Sequence, residues 1–254
     1  MGHAAAKKLI QEGYRVFGLD RTRPDPLSGL TFIHTDLTSE ASIENAFQEI
    51  RRKGISLDCV IHLAGIYNLD SLVEITDEDF SKIFRTNLFS VYRINKIFLP
   101  LLNEGGRIII TTSELAPLNP LPFTGIYAVT KTALDSYAHA LQMELQLLGL
   151  QVIILRPGAV DTGLLGKSVE ALDAFCDNTQ LYSCNSDKFR KIVNRVEARK
   201  ISPDRIAEMV CRILSAKHPK HVYSINRNPL LLIMNALPER LQSFLIRQRL
   251  KTKA

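Results

Sequence analysis

The sequence has little of what normally marks a metal site, a disulfide framework or a membrane span. Its four cysteines, Cys59, Cys176, Cys184 and Cys211, form no C-x-x-C pair and have no histidine at ligand spacing. No metal is therefore expected, and the thiols read as reduced ones in a cytoplasmic protein. The longest apolar run, near Pro229 to Leu237, falls far short of the roughly 20 residues a spanning helix needs. A secretory leader is not expected either, because Met1-Gly2-His3 leads straight into an amphipathic pattern. Ala6 stands where a myristoylated N-terminus wants Ser or Thr. The net charge of +6 is modest, few aromatics interleave with the basic residues, and no nucleic-acid motif occurs, so a nucleic-acid partner is not expected. Repeats, low-complexity segments and linkers are missing, and 1–254 reads as one domain.

What is present is an alternation of strand-like and helix-like runs, the pattern of an α/β fold with a parallel sheet covered by helices on both faces. Helices are expected over residues 3–12, 39–52, 77–102, 125–148 and 203–216. Strands are expected over 15–19, 31–35, 58–64, 106–113, 151–155 and 221–225. Residues 162–200 look less regular and are expected to contain short helices. The tail from Pro229 has a helical apolar pattern broken by Pro238.

Chemistry concentrates in Tyr127-Ala-Val-Thr-Lys131. A spacing of four places both side chains on one helix face, where an ammonium is expected to lower the phenol pKa towards working pH and make the tyrosine a general acid or base. Tyr92-Arg-Ile-Asn-Lys96 has the same spacing, so spacing alone does not choose. Ser113 ends an apolar strand 14 residues before Tyr127, and ligands of open α/β sheets bind at strand carboxyl ends. Ser113 could also simply cap the next segment. Asp20 ends the strand at Arg15 to Leu19, where a carboxylate accepts from ribose hydroxyls and favours NAD. Arg21 beside it could pair with a 2′-phosphate and favour NADP.

These features together resemble the short-chain dehydrogenase/reductase family, and the extended lid and C-terminal helix look like those of its hydroxysteroid- and retinol-type members. Tyr127 and Lys131 fit its Tyr-x-x-x-Lys and Ser113 its catalytic serine. Asn87 fits the helix asparagine that holds a water in the proton relay. Pro157-Gly158-Ala159-Val160-Asp161-Thr162 fits the element at the nicotinamide end. His62-Leu63-Ala64-Gly65 fits Asn-Asn-Ala-Gly with both asparagines changed. The resemblance implies a Rossmann-like doubly wound sheet, an NAD(P)-dependent oxidoreductase and hydride transfer between nicotinamide and an alcohol or ketone. It implies a catalytic set of Asn87, Ser113, Tyr127 and Lys131. Cofactor contacts would come from Gly2, Asp20, Arg21, Asp36, Leu37, Ala64, Gly65, Asn87, Tyr127, Lys131, Pro157, Gly158, Val160 and Thr162. Asp36 would meet the adenine, or else cap the helix that starts near Ser39. A homo-oligomer is implied as well. A sugar-nucleotide epimerase shares the Tyr and Lys logic but usually needs a larger C-terminal substrate domain.

The family opens with a strand and a glycine-rich phosphate loop. Here Gly2 matches the last glycine, and no strand precedes it. The sequence therefore reads as N-terminally truncated, with a true start some fifteen to twenty residues upstream, or as an unstable, inactive or non-catalytic dinucleotide-sensing relative. Without that strand the sheet is expected to lack its centre. The lid at about 162–200 offers Leu164, Leu165, Leu172, Phe175, Leu181, Tyr182 and Phe189. These suit an apolar, steroid-like alcohol, or else pack the lid down. The tail at about 229–254 is apolar on one face and basic on the other. Packing against the domain or a partner is preferred for it over contact with a membrane surface.

Overall fold

Parallel strands alternate with helices from the first residues onward in the computed structural model. The structure describes residues 1–197 and 199–251, and the side chains of all these except 164–169, 184 and 195–197. The side chains of Leu164, Leu165 and Cys184, noted above, thus lie outside the described ones. The elements run α1 (Gly2–Gln11), β1 (Val16–Asp20), β2 (Leu30–His34), α2 (Glu40–Arg52), β3 (Leu57–His62), α3 (Asp77–Phe84) and, after a π-turn at Arg85–Phe89, α4 (Ser90–Phe98). There follow β4 (Leu102–Thr111), α5 (Gly125–Leu145), β5 (Gln151–Pro157), α6 (Gly163–Asn178), α7 (Ser183–Glu197), α8 (Pro203–Ser215), β6 (Val222–Ile225), α9 (Pro229–Ala236) and α10 (Glu239–Leu250).

Local chemistry explains many of these boundaries. Ser39, Thr76 and Ser202 each accept from a first-turn N–H of α2, α3 and α8, and Pro203 occupies the first turn of α8, where its missing N–H costs nothing. Ile108, Ile109 and Ile110 of β4 are all fully buried, as a strand covered by helices on both faces requires. Ile108 and Ile110 pack under α5, and Ile109 under α8.

All strand pairs are parallel, but the described strands form two pieces, β1-β2 and β3-β4-β5-β6. No backbone pairing joins β1 to β3. Side chains hold the pieces together: Phe17 and Leu19 share one apolar cluster with Leu57 and Val60, and Val16 shares another with Cys59 and Ile61.

Two expectations need correction. The single helix over 77–102 is interrupted by the π-turn and ends in a 3₁₀ turn at Leu99–Leu101. The lid helices are longer than expected: α6 and α7 run 16 and 15 residues. Leu172, Phe175 and Phe189 are buried in one cluster with Leu69 and Leu250. Phe123 is its hub, with ring centroids 4.6 Å from Phe175, 5.0 Å from Phe189 and 4.9 Å from Tyr182. Those lid residues hold the lid down, while Leu181 is exposed.

Candidate active site

The carboxyl ends of β3, β4 and β5 open into a cleft walled by the N-terminal turns of α5 and by α9. Its lining includes Ala64, Gly65, Ser113, Tyr127, Lys131, Pro157, Gly158, Val160 and Thr162, nine of the residues singled out in the sequence. Buried polar contacts set the register of α5 there. Asp135, one turn beyond Lys131, accepts from Thr112 Oγ1 at 3.0 Å and from Arg156 Nε and Nη2 at 2.9 and 2.6 Å. Helix α5 is thereby tied to both β4 and β5 at the level where Tyr127 must meet Ser113.

Tyr127 is buried, with its ring 4.5 Å from that of Tyr67. Burial pushes its phenol up to about 12, and its hydrogen bond with Ser113 works against that rise. Lys131 Nζ donates to the Thr111 carbonyl at 3.1 Å and lies 5.8 Å from the Tyr127 ring centroid. Burial pulls its ammonium down to about 8. The expectation that Lys131 lowers the phenol is therefore corrected, because removal from water outweighs a cation held at that distance. Ser113 also has the capping role considered for it: its Oγ accepts from Leu115 N at 3.2 Å. Tyr92 is 46% exposed on α4 and does not line the cleft, whereas Tyr127 and Lys131 do.

Asn87 lies behind the cleft wall on the π-turn, a device frequent at functional sites. Its Oδ1 accepts from Ile66 N at 2.8 Å, and its Nδ2 donates to Ile66 O at 2.9 Å and Thr130 Oγ1 at 3.1 Å. The amide thus fixes the loop after β3. A Cβ at Gly65 would come within 3.3 Å of Asn87 Oδ1 and 3.6 Å of Lys131 Nζ, and one at Gly158 would collide with the Asn226 carbonyl.

The remaining sequence candidates stand outside the cleft. Gly2 opens α1, and its neighbour Met1 lines the cleft instead. Asp20 ends β1, Arg21 follows it, and both are exposed. Asp36 is not the cap of α2, since Ser39 is. Its carboxylate closes a turn on Thr38 N and Oγ1 at 2.9 and 2.7 Å, and these bonds hold it below the usual carboxylate range. Leu37 packs against the cluster of Ile33 and Phe47. Sequence reasoning missed Met1, Leu63, Tyr67, Glu114, Leu115 and Leu231, which supply much of the cleft wall. The adjacency of Glu114 to Ser113 was the one available signal.

The residues fit a nicotinamide nucleotide. The buried Thr111 hydroxyl has no hydrogen-bond partner among the described residues. The Lys131 ammonium, with three donors, makes one hydrogen bond to a main-chain carbonyl, and Gly65 leaves open space beside it. Those are donors and room suited to ribose hydroxyls.

His62, one of the two changed family positions, is buried. Its Nε2–H donates to Asn95 Oδ1 at 2.6 Å, and Asn95 Nδ2 donates on to Tyr137 Oη at 3.2 Å. Burial lowers its pKa to about 4. The unfolded chain takes up a proton below about 6.5 while the folded one does not. Stability is then complete above that pH and falls between about 6.5 and 4, by roughly 3 kcal/mol. Urea unfolding at about pH 7 and about pH 4.5 should show this loss in the protein and a clearly smaller one in His62→Asn. Equal losses would show that His62 does not carry it.

Comparison with known proteins agrees with this architecture. The sequence model of the short chain dehydrogenase family matches residues 1–173. The chain is 24% identical over 252 residues to the 3-ketodihydrosphingosine reductase of Bacteroides thetaiotaomicron, covering 97% of this chain and 92% of that protein. It is 33% identical over 172 residues to the NADPH-dependent 1-acyldihydroxyacetone phosphate reductase of Schizosaccharomyces pombe, covering 66% of this chain and 58% of the relative. The solved alcohol dehydrogenase of the archaeon Thermococcus sibiricus, complexed with 5-hydroxy-NADP, superposes with a TM-score of 0.70 at 24% identity, over 90% of this chain and 93% of that one. The chain belongs to the short-chain dehydrogenase family and is an NAD(P)-dependent oxidoreductase acting on alcohol or carbonyl groups.

Proposed function

We propose that the protein reduces an apolar ketone, long-chain or steroid-like, with Tyr127 as proton donor, Ser113 and Lys131 assisting it, and NADH as the preferred reductant. The observation that carries this reading is the placement of Ser113, Tyr127 and Lys131 on one cleft whose wall also includes the apolar Met1, Leu63, Leu115, Val160 and Leu231, beside the polar Thr111, Thr112, Glu114 and Thr162. The cofactor, when bound, supplies the hydride. Lys131 and Thr111 hold its ribose, and Pro157, Gly158, Val160 and Thr162 its nicotinamide end. A phenol pushed up to about 12 keeps its proton at working pH, which suits donation to a forming alkoxide. Ser113 orients the carbonyl oxygen. The Lys131 cation sits ready to stabilise the phenolate left behind, and Asn87 positions the loop that faces both.

The preference for NADH rests on Asp20, whose carboxylate Oδ1 accepts from Thr22 N at 2.9 Å at the end of β1 and would repel a 2′-phosphate. Reductase relatives of lipid-like names, such as the ketodihydrosphingosine enzyme, accord with an apolar substrate.

The test is reduction of a homologous series of aliphatic ketones, followed by the loss of NADH or NADPH absorbance. Each buried methylene contributes about 0.8 kcal/mol, so kcat/KM should rise about three- to fourfold per carbon until the cleft is filled. A flat series would sink the apolar-substrate reading, and faster turnover with NADPH would give the decision to Arg21.

A further inference from the structure

The C-terminal hairpin of α9 and α10 turns apolar side chains away from the protein. Leu230 is 60% and Ile233 62% exposed on α9, one turn apart. Leu241 is 42% and Phe244 55% exposed on α10, again three residues apart. The opposite sides are committed inward: Leu231 lines the cleft, and Leu250 and Ile246 join the lid cluster. The hairpin is also fixed rather than loosely appended. Gln242 Nε2 donates to the carbonyls of Asn235 and Leu237 at 3.3 and 2.7 Å, and Asn119 N donates to Asn235 Oδ1 at 2.9 Å. Asn228 N donates to Glu114 Oε2 at 2.6 Å, beside Ser113.

Charge separates this surface from the exposed apolar patches at Leu72 and Met143. From Arg227 to Lys251 the basic residues are Arg227, Arg240, Arg247, Arg249 and Lys251, against Glu239 as the single acidic one. All six are exposed. A cavity of about 240 Å³ lined in part by Arg199 and Arg227 opens at the foot of α9 and adds to the same positive field. By contrast, exposed Leu72 and Val73 lie between Asp70 and Glu74, and exposed Met143 and Leu147 flank Glu144.

We propose that the α9–α10 hairpin docks on the surface of an anionic lipid bilayer, with Leu230, Ile233, Leu241 and Phe244 entering the interface and the arginines meeting the headgroups. No described helix is long and apolar enough to cross a membrane, so the contact is one of lying on the surface. Apolar insertion and attraction to anionic lipid act together in such contacts, each cation near the surface giving about fivefold in partition. Because Leu231 of the same helix walls the cleft, docking sets the cleft beside the lipid phase. The inference does not depend on which substrate the cleft accepts.

The experiment is co-sedimentation of the full 254-residue chain with vesicles of phosphatidylcholine alone and of phosphatidylcholine mixed with phosphatidylglycerol. It requires no turnover, so its failure and that of the substrate reading are separable. Binding is expected only to the anionic vesicles and should weaken steeply as salt is raised. Arg240→Gln with Arg247→Gln should lower partition by roughly twentyfold or more. Leu230→Ser with Ile233→Ser and Phe244→Ser should abolish it. All of these side chains are exposed, so circular dichroism should show them folded; the salt dependence of the unaltered chain decides if one is not. Equal binding to both vesicle types, or none to either, would overturn the proposal. So would a dimer in sedimentation velocity that the serine variant splits, since a second copy would then cover this face.

Discussion

Turnover of the Tyr127→Phe variant is expected to fall by roughly a hundred- to ten-thousand-fold, the range over which a positioned general acid contributes. The fold should survive. The ring that packs against Tyr67 at a 4.5 Å centroid distance and beside Ile83 and Ile126 is retained. What is lost is one phenol hydroxyl and its hydrogen bond with Ser113, worth about 1 kcal/mol. KM should change little, because the hydroxyl acts on the oxygen as charge develops rather than on the bound ketone. Tyr92→Phe is the control: it carries the same spacing to a lysine but lies exposed on α4, and its turnover should match that of the parent. If Tyr127→Phe kept full activity with an unchanged melting temperature, another group would have to supply the proton and the assigned role of Tyr127 would fall.

The residues that sequence reasoning placed in the cleft are those whose position follows from a strand end or a helix turn. Ser113 follows an isoleucine-rich strand, Pro157 and Gly158 close another, and Tyr127 and Lys131 share a face by spacing alone. Met1, Tyr67 and Leu231 were missed because they reach the cleft from segments far apart in the chain, and no local pattern marks such a meeting. The split between β1 and β3 was legible because no strand-like run lies before Arg15. The π-turn under Asn87 was not, since one extra residue in a helical turn leaves the apolar periodicity nearly intact. The lid looked irregular because Gly163, Gly166 and a polar stretch around Asn178 to Asn185 blur the helical signal, yet packing around Phe123 makes two helices of it. Packing also overruled the electrostatic expectation for Tyr127: the spacing gave proximity to Lys131, but not the degree of burial that raises the phenol.

Lys131→Met should stabilise the protein while abolishing its activity. In the fold the ammonium is removed from water and titrates at about 8, against 10.5 in the open chain. At neutral pH both states carry the proton, so the folded state bears the full cost of burying that charge, about 3 kcal/mol. The cost is relieved only as pH rises from about 8 towards 10.5, where the folded state is neutral and the unfolded one is still charged, so stability climbs across that window. Methionine has a similar length and no charge. It gives up the 3.1 Å bond to the Thr111 carbonyl, an opposing loss of about 1 kcal/mol. The net gain of roughly 2 kcal/mol should raise the melting temperature near pH 7 by about 4–8 °C, and the gain should shrink as pH approaches 10. Turnover should fall at least as far as in Tyr127→Phe, because the cation that stabilises the phenolate and a donor to the cofactor ribose are lost together. Calorimetric melts of the two proteins at about pH 7 and about pH 10 decide the matter. A variant that is less stable at neutral pH would mean that the Lys131 charge is paired within the folded protein, and the account of its depressed pKa would be wrong.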